Sequence, residues 1–468
     1  MPGTGVFGLS IYKDCDIRGV YGVDLTEQNM SAIGAALAVE LSGRSIVVGG
    51  DYRLHTPPLK AALIEALVRG GATVCDVGQV STPQLYFSKT HLGTYASAQI
   101  TASHNPAKYN GLKLMLGQWP ITPEAIRHLA ALAASGASVS GHGTVTQVNT
   151  DDAYADMVRK AGEPARSLHM VIDAGNGAMS QAAPAVMASL GHKVEPLFCD
   201  FDGSFPNRDP NPAVPSHLTA LCRRVRETGA DLGVAFDGDG DRAIFVDSDG
   251  VPLLAEEALV IFANHLVQPG DSVIYDLKCS SIFRRAVEAR GGTAIMERSG
   301  HAFIRRTFME WGSVLAGEVS GHYFFRELAG DDGLYALAVL SSILSRTDRT
   351  LRQLLDGVSY PAITPDLRIQ ASGEEIDAVL ARMEQWAAHS GADVSRLDGI
   401  RLVFPDGSWA LLRRSITEPA FTVRLEAPTA HGLQQLREQA AQALAVPQLA
   451  ESPPMAPPFN HPPGGWFF

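Results

Sequence analysis

Three aspartates, Asp237, Asp239 and Asp241, are the residues of this chain best suited to chemistry, because they follow one another in "GVAFDGDGDRAIF". Carboxylates this close repel one another, by about 4 kcal/mol for a pair roughly 4 Å apart at an effective dielectric constant of about 20. A cation relieves that repulsion, and hard oxygen ligands suit Mg²⁺. The glycines between them let the loop curl so that the side chains converge. The pattern predicts a magnesium site, with an acidic surface turn as the alternative.

A calcium-binding EF-hand loop does not fit this stretch. Such a loop needs glycine after its third acidic residue and glutamate at its end, where this chain has Arg242 and Ser248. The two apolar runs that frame the aspartates favour a loop at the end of a buried strand, which is where sites are usually built.

Ser103 lies in a second stretch of interest, "ITASHNPAKYNGLK". Serine and asparagine satisfy loop backbone groups with their side chains, and proline restricts φ, so these residues are common in turns. Taken alone, the stretch predicts a tight turn between two apolar runs, and a catalytic serine is the less frequent interpretation.

Two further stretches have the composition of ligand contacts. In "LAGEVSGHYFF", which also contains His322, an extended backbone would point Glu318 and Ser320 the same way, towards adjacent hydroxyls of a sugar. In "LLRRSITEP", an arginine and two hydroxyls alternate and would suit a phosphate, namely Arg413, Ser415 and Thr417. A strand-to-loop junction and a hairpin edge are the respective structural alternatives.

Three isolated residues are weaker candidates. His301 in "RSGHAFIR" could carry a proton near neutral pH, although a single histidine is more often a satisfied polar residue. Lys278 follows an apolar run in "YDLKCS", and Arg18 lies near the N-terminus, where a surface ion pair is the alternative.

The elements that position these residues follow a repeated pattern: an apolar strand that ends in Asp, a loop, an amphipathic helix, a glycine and a second strand. The copies start at "SIVVGGDYR", "HMVIDAGNGAMS" and "SVIYDLKCS". Each predicts a β-α-β unit, and ligands of parallel sheets gather at the carboxyl ends of the strands. Asp51, Asp173 and Asp276 are expected at that edge.

From about residue 362 the pattern changes to strand, helix, hairpin, strand and a final helix near residues 430–445. The predicted fold class is α/β, with three similar mixed α/β domains that have largely parallel sheets and a smaller C-terminal α+β domain. The predicted domain boundaries are 1–148, 149–250, 251–361 and 362–446, and 447–468 is predicted to be a disordered proline-rich tail.

Composition excludes some partners. The net charge of −12 argues against nucleic acid or an anionic membrane as a partner, since either needs a broad basic face. The five cysteines never form a C-x-x-C motif, which indicates neither a disulfide framework nor a zinc site. No signal peptide or membrane-spanning run is recognisable, so a cytoplasmic protein is predicted.

Four motifs, "TASHNP", "DGDGDR", "GEVSGH" and "RRSITEP", in this order and at these separations, closely resemble the phosphohexomutase family. The resemblance runs from Arg18 to about residue 445 and implies four domains around a central cleft, each supplying one motif. It implies that phosphoserine donates to a hexose monophosphate, that the 1,6-bisphosphate reorients, and that the other phosphate returns to serine. Mg²⁺ and hexose 1,6-bisphosphate as activator are the implied cofactors, and hexose phosphates are the implied partners of a monomer or homodimer.

The resemblance also implies residue roles. Ser103 would carry the phosphoryl group beside the magnesium ion, and Glu318 and Ser320 would hold two ring hydroxyls. The implied catalytic residues are Ser103, Arg18, Lys113 and His301; the implied substrate contacts are Arg242, Lys278, Glu318, Ser320, His322, Arg413, Ser415 and Thr417; the implied metal ligands are Ser103, Asp237, Asp239 and Asp241.

Two positions depart from the family pattern. Cys15 stands where many relatives carry tyrosine, and Ile416 stands in the phosphate-binding stretch where asparagine or glycine is usual. An apolar Ile416 removes one hydrogen-bonding group from that stretch. "GEVSGH" resembles the mannose and glucose branch of the family more than the amino-sugar branches.

Other functions remain as alternatives. An aspartyl-phosphate phosphatase would use a D-x-D nucleophile and the acids of "GDD" at 330–332, but it gives Ser103 no role. A nicotinamide dehydrogenase would use "VIDAGNGAMS", in which Ser180 replaces the third glycine of the fingerprint. A sugar-phosphate sensor would keep the phosphate contacts and have no turnover.

Overall fold

The computed structural model describes residues 11–415 and 420–451 of the chain. The strands of these residues form four sheets that follow one another along the sequence. The first three sheets are mixed and the fourth is antiparallel. The predicted fold class is therefore confirmed, and the exact domain boundaries stay predictions.

The first domain carries the turn that contains Ser103. Its elements are strands β1 (Ile17–Val20), β2 (Ser45–Gly50), β3 (Thr73–Gln79), β4 (Ala96–Ile100), β5 (Tyr109–Leu116), β6 (Trp119–Pro120) and β7 (Thr144–Gln147), and helices α1 (Glu27–Leu41), α2 (Thr56–Arg69), α3 (Thr82–His91) and α4 (Pro123–Ser135). The sheet has the order β1-β5-β4-β2-β3-β7, with β4, β2, β3 and β7 parallel to one another. The turn that contains Ser103, residues 101–108, joins β4 to the antiparallel strand β5 and is called the serine turn below.

The second domain carries the three aspartates. Its elements are α5 (Asp151–Arg159), β8 (His169–Asp173), α6 (Ala182–Ser189), β9 (Lys193–Leu197), a 3₁₀ helix (Pro215–Leu218), α7 (Thr219–Thr228), β10 (Leu232–Phe236) and β11 (Ala243–Asp247). The sheet has the order β11-β10-β8-β9, in which only β11 is antiparallel. Every residue of β10 is buried, so the chain reaches the aspartates from inside the domain.

The third domain carries Glu318 and Ser320. Its elements are α8 (Ala255–Leu266), β12 (Ser272–Asp276), α9 (Ser281–Ala289), β13 (Thr293–Glu297), α10 (His301–Trp311), β14 (Leu315–Gly317), β15 (Tyr323–Phe325), β16 (Gly330–Asp331), α11 (Gly333–Ser345) and a 3₁₀ helix (Gln353–Leu355). Strands β13, β12 and β14 are parallel, and β15 and β16 extend the sheet in antiparallel fashion.

The fourth domain carries Arg413 and Ser415. Its elements are β17 (Ala362–Ile363), β18 (Leu367–Gln370), α12 (Gly373–His389), β19 (Asp393–Ser395), β20 (Ile400–Val403), β21 (Trp409–Arg414), β22 (Ala420–Ala427), α13 (Ala430–Leu444) and α14 (Gln448–Glu451). The predicted hairpin is present as β20 and β21, which pair in antiparallel fashion.

The three predicted β-α-β units are confirmed. In each unit the two strands lie side by side and parallel, as β2 with β3, β8 with β9, and β12 with β13. Asp51 directly follows β2, whereas Asp173 and Asp276 are the last residues of β8 and β12. All three carboxylates are fully buried at the carboxyl edges of their sheets.

The apolar cores are distributed unevenly among the four domains. One cluster of buried residues runs through both the second and the third domain, from Tyr154 of α5 to Leu344 of α11. The main clusters of the first and the fourth domain are their own, and include Leu63 and Leu425 respectively. The second and third domains therefore share one core.

The fourth domain meets the third through an apolar cluster that includes Leu277 of the third domain and Leu411 of the fourth, and through a buried polar network. Glu426 accepts hydrogen bonds from the indole of Trp409 (2.9 Å) and from the hydroxyl of Ser280 in the third domain (2.6 Å). Arg424 donates to Glu256 of the third domain at 2.9 Å. Because these charges are buried, their pairing favours one docking geometry of the two domains.

The prediction of a disordered tail from residue 447 is wrong at its start. Gln448–Glu451 form the helix α14, in which Leu449 is fully buried against the fourth-domain core. Arg437 of α13 donates to the main-chain oxygens of Leu449 (3.1 Å) and Ala450 (2.8 Å). Residues 452–468 lie outside the described part of the chain.

All five cysteines are free thiols. Among the described residues, no helix has both the length and the apolar character needed to cross a membrane.

We expect Leu449→Ala to lower the free energy of unfolding by about 2–5 kcal/mol, because it leaves a cavity in the fourth-domain core. Thermal and denaturant unfolding would measure the loss. Glu451→Ala, a change at an exposed position of the same helix, is the control and should have little effect. Equal stability of the Leu449 variant and the wild type would contradict the packing of α14.

Candidate active site

The hydroxyl of Ser103 lies against the loop between β10 and β11 of the second domain, which holds Asp237, Asp239 and Asp241 and is called the acidic loop below. Its Oγ donates a hydrogen bond to Oδ2 of Asp237 at 2.8 Å, and the residue is 1% exposed. Ser103 has a φ of 49°, in the left-handed region that a side chain rarely adopts. A strained residue at a turn between two strands is typical of a functional position.

The three predicted metal ligands converge as expected from their spacing. Asp237, Asp239 and Asp241 are fully buried, and one oxygen atom of each lies within 4.8 Å of the others. Oδ1 of Asp239 is buried and accepts no hydrogen bond from any described residue. A buried carboxylate oxygen without a partner fits a site for a hard cation such as Mg²⁺.

Lys113 supplies a counter-charge from the first domain. Its Nζ donates to Oδ2 of Asp239 at 2.8 Å and to Oδ2 of Asp241 at 2.5 Å. Burial alone would lower the pKa of this ammonium, but the two carboxylates raise it well above its ordinary value. Lys113 is therefore a permanently charged bridge between the serine sheet and the acidic loop.

The three carboxyl groups differ in their affinity for protons. Burial raises the pKa of Asp237 well above its ordinary value, and the charges of Asp239 and Asp241 raise it further. Burial would also raise the pKa of Asp241, but Lys113 and then His322 hold it well below the usual range. Without a cation, the acidic loop thus keeps its charge only where a positive side chain touches it.

Arg18 approaches the serine turn from β1. Its Nη1 donates to Oδ1 of Asn105 at 2.5 Å, and its guanidinium pairs with Asp16. Because β1 pairs with β5, Arg18 lies opposite Gly111 of β5, close to the point where the serine turn ends. Arg18 therefore belongs to the part of the site that the first domain provides.

Glu318, Ser320 and His322 form a turn, and the expectation of an extended segment is wrong. The main-chain N–H of Gly321 donates to the oxygen of Glu318 at 3.1 Å, and Gly321 has a φ of 92°. The side chains meet at the imidazole: Ser320 Oγ is 2.8 Å, and Glu318 Oε2 3.3 Å, from Nδ1 of His322.

His322 joins this turn to the acidic loop. Its Nε2 lies 3.4 Å from Oδ1 of Asp241 and 3.3 Å from Nε of Arg242. Burial and Arg242 lower the pKa of His322, but Asp241 and Glu318 outweigh them and raise it to about 9. Arg242 itself lies 3.8 Å from Oδ2 of Asp237.

His301 and Lys278 lie on the third-domain side. The ring of His301, the first residue of α10, stacks on the ring of His322 with centroids 5.8 Å apart. Burial, followed by the charge of Lys113, lowers the pKa of His301 to about 3, so its imidazole is neutral at physiological pH. Nζ of Lys278 is 3.6 Å from Asp276 and 3.9 Å from Asp366 of the fourth domain.

The predicted phosphate contacts of the fourth domain are only partly described. Arg413 pairs with Asp398 at 2.8 Å, and Asp398 also accepts from the main-chain N–H of Ser299 at 3.3 Å. The N–H of Ser415 donates to the main-chain oxygen of Ala420 at 2.9 Å. Thr417, together with the departure at Ile416, lies outside the described residues.

Sequence reasoning missed two charged residues that border the site, and it named a third, Asp331, only as an acid of the phosphatase alternative. Arg53 contacts the serine turn, Asp331 lies 3.7 Å from Nε2 of His322, and Asp398 pairs with Arg413. For Arg53 a signal existed, because it stands two residues after a strand-end aspartate, as Lys278 does after Asp276. For Asp398 no local pattern distinguishes it from an ordinary turn residue.

Comparisons with known proteins agree with this arrangement. Family models of phosphoglucomutase/phosphomannomutase alpha/beta/alpha domains I, II and III match residues 10–139, 152–250 and 255–360. A phosphomannomutase/phosphoglucomutase of Pseudomonas putida is 36% identical over 436 residues, which are 92% of this chain and 94% of that protein. A phosphoglucomutase of Neisseria gonorrhoeae is 36% identical over 440 residues, which are 92% and 95%.

A solved structure is similar over the same length. The phosphoglucomutase/phosphomannomutase family protein of Burkholderia thailandensis superposes with a TM-score of 0.87 and 34% identity. The superposition covers 93% of this chain and 98% of that chain, so the similarity is not confined to one domain.

We expect Lys113→Met to destabilise the metal-free protein by about 3–5 kcal/mol, because it leaves the carboxylates of Asp239 and Asp241 without their buried counter-charge. Added Mg²⁺ should raise the melting temperature of this variant more than that of the wild type. Thermal unfolding in EDTA and in Mg²⁺ would measure both effects. Lys160→Met, at an exposed position of the second domain, is the control. An equal response of all three proteins to Mg²⁺ would contradict a cation site at the acidic loop.

Proposed function

Because the chain belongs to the phosphoglucomutase/phosphomannomutase family, we propose that it interconverts the 1-phosphate and 6-phosphate of mannose, glucose or both. The reaction is proposed to run through a phosphoserine at Ser103 and a hexose 1,6-bisphosphate, with Mg²⁺ required. The observation that carries the proposal is the 2.8 Å hydrogen bond from Ser103 Oγ to Asp237. It joins the only proposed nucleophile to the acidic loop that would hold the cation.

The acidic loop and the phosphorylated serine are proposed to share one cation. The three aspartates and a phosphate oxygen on Ser103 would hold Mg²⁺. Its positive charge would compensate the negative charge of the phosphoryl group during transfer. Lys113 keeps two of the carboxylates ionised, and Arg242 adds a guanidinium 3.8 Å from Asp237. Phosphoryl transfer depends on alignment and charge compensation, which these side chains provide.

Proton transfer at the sugar hydroxyl is assigned to the cluster between the first and third domains. His301 is neutral and has a buried Nε2 with no hydrogen-bond partner among the described residues, so this nitrogen is free to form a hydrogen bond with a sugar hydroxyl. Lys113 and Arg18 are the other proposed participants, and both lie beside the serine turn. Lys113 would act mainly through its charge, since its pKa is raised.

The sugar is proposed to bind at the Glu318 turn. Burial opposes the charge of Glu318, but His322 holds the pKa of its carboxyl below the ordinary value, so the group accepts hydrogen bonds from ring hydroxyls. Ser320, His322 and Lys278 complete this side of the site. Mannose and glucose differ in the configuration of one hydroxyl. A carboxylate that accepts hydrogen bonds from the neighbouring ring hydroxyls suits either sugar.

The fourth domain is proposed to hold the phosphate that is not transferred. Arg413, Ser415 and Thr417 would bind it in both orientations of the sugar, so that either end of the bisphosphate can meet Ser103. An incoming phosphate would replace Asp398 as the partner of Arg413. This exchange would also shield the intermediate from water while it reorients.

Small hexose phosphates, including the 1,6-bisphosphate as activator, are the proposed partners, in a cytoplasmic monomer or homodimer. The phosphatase and sensor alternatives receive no support from the comparisons, whose named relatives are mutases. In the phosphatase interpretation Asp332 would bind a metal, but here it caps α11 and accepts from Tyr154 at 3.0 Å.

We expect Ser103→Ala to abolish the conversion of mannose or glucose 1-phosphate to the 6-phosphate in the presence of Mg²⁺ and trace bisphosphate, because the acceptor hydroxyl is lost. Peptide mass spectrometry should find phosphate on Ser103 of the wild type, and EDTA should stop turnover. Ser135→Ala, at an exposed position of α4, is the control. Normal turnover by the Ser103 variant would refute the proposal.

Arg413→Met is expected to raise KM for the 1-phosphate and for the 6-phosphate alike, by about tenfold or more, because a charge-assisted hydrogen bond to the distal phosphate is lost. The matched control is Arg414→Met, which removes the neighbouring guanidinium, exposed by 47% and paired with Asp377. Initial-rate kinetics in both directions measure the effect. A change for one substrate only would exclude a contact common to both orientations.

A further inference from the structure

Arg53 is the most completely engaged charged side chain beside the site, and no step proposed above uses it. It lies two residues after Asp51, is fully buried, and donates from all three of its nitrogens. Nη2 donates to the main-chain oxygens of Ser103 and Asn105, both at 2.6 Å. Nη1 donates to those of Pro106 (2.9 Å) and Tyr109 (3.0 Å).

These contacts use every N–H of the guanidinium. The fifth hydrogen bond runs from Nε to Oδ2 of Asp51 at 3.1 Å, which supplies the counter-charge. Arginine alone has five donors in a planar fork, so no other side chain could bind four carbonyls of one turn at once. The serine turn is thus built around Arg53.

The peptide groups of Ser103 are held from both sides. Its N–H donates to Thr101 Oγ1 at 2.8 Å, and Thr101 Oγ1 donates to Asp51 Oδ2 at 2.7 Å. Its main-chain oxygen accepts from Arg53. The buried pair of Asp51 and Arg53 therefore stabilises the strained φ of 49° that turns the hydroxyl towards Asp237.

The second domain has a comparable device, which argues against a chance contact. Asp173, at the corresponding strand end, pairs with the buried Arg208 at 2.9 Å. Nη2 of Arg208 donates to the main-chain oxygen of Phe236, the residue before Asp237, at 2.8 Å. In both domains a strand-end aspartate holds a guanidinium that binds the backbone of a neighbouring functional loop.

We propose that Arg53 is the positioning residue of the nucleophile: it keeps the Ser103 hydroxyl in the orientation in which it receives and returns the phosphoryl group. This inference rests on the proposed function. Because every N–H of Arg53 already donates within the first domain, none is left for a substrate, so its loss should slow transfer to and from Ser103 and leave the binding of hexose phosphate intact. Misplacement of a reacting group by about 1 Å costs on the order of 100-fold in rate.

The experiment compares Arg53→Met and Arg53→Lys with Arg437→Met in the full-length protein. Arg437 is also a buried arginine that donates to main-chain oxygens, those of Leu449 and Ala450, but all its hydrogen bonds lie in the fourth domain. Phosphorylation of Ser103 by glucose 1,6-bisphosphate is followed in single turnover with Mg²⁺. The Kd of glucose 6-phosphate is measured in parallel.

We expect a rate about 100-fold lower in Arg53→Met and an intermediate rate in Arg53→Lys, which keeps the charge beside Asp51 but lacks the fork. The Kd of glucose 6-phosphate should stay within about twofold of the wild-type value, because the substitution removes no group that binds the sugar phosphate. Arg437→Met should lose stability without a change in this rate. If Arg53→Met does not fold, Arg53→Lys alone decides.

A wild-type rate in the Arg53 variants would overturn the inference. So would a rate loss matched by an equal loss of affinity for glucose 6-phosphate, which indicates general damage to the site. Hydrogen exchange of the peptides that cover residues 101–109 gives a readout independent of catalysis, and should accelerate about tenfold or more in the Arg53 variants and not in Arg437→Met. If the wild type took up no phosphate, only the proposed function would be refuted. Unchanged hydrogen exchange in the Arg53 variants would overturn the inference in either case.

Discussion

The burial of three carboxyl groups in one loop, those of Asp237, Asp239 and Asp241, is the constraint on which the rest of this phosphohexomutase depends. Carboxylates without access to water stay ionised only if positive groups touch them. Here those groups come from different parts of the chain: Lys113 from the first domain and His322 from the third. Compensation of one cluster of charge therefore brings three separate sheets to a common point.

Much of this arrangement could be predicted because its parts are local. The end of an apolar strand at Phe236, the glycines of the acidic loop and the turn residues around Ser103 are all visible within a few positions of the sequence. Within each β-α-β unit the strands are parallel, so their carboxyl ends lie at the same edge of that domain's sheet, as general rules for parallel sheets require. The order of the motifs indicated the family, and the meeting of Ser103 with Asp237 followed from it.

The remaining features depend on partners that are distant in sequence or on competing local signals. The strand-end Asp51 marks Arg53 as a candidate residue, but Arg53 binds carbonyls 50 or more residues away, and no neighbouring residue identifies them as its partners. The Glu318 turn was missed because alternating polar residues suggested a strand, although Gly321 is a turn signal. Helix α14 was missed because the proline content after it outweighed one buried leucine, Leu449.

The single core of the second and third domains has a mechanical consequence. The acidic loop and the Glu318 turn are carried by domains that pack on the same apolar core, so a movement of one relative to the other would disrupt close-packed contacts. In the reaction proposed above, the room in which a sugar reorients would therefore have to come from the first or the fourth domain. Of these, the fourth domain contacts the third through the polar network of Glu426 and Arg424 and also through an apolar cluster that includes Leu277 of the third domain and Leu411 of the fourth. Any movement of the fourth domain would therefore have to separate buried charges and apolar side chains together, which sets an energetic cost on opening this side of the molecule.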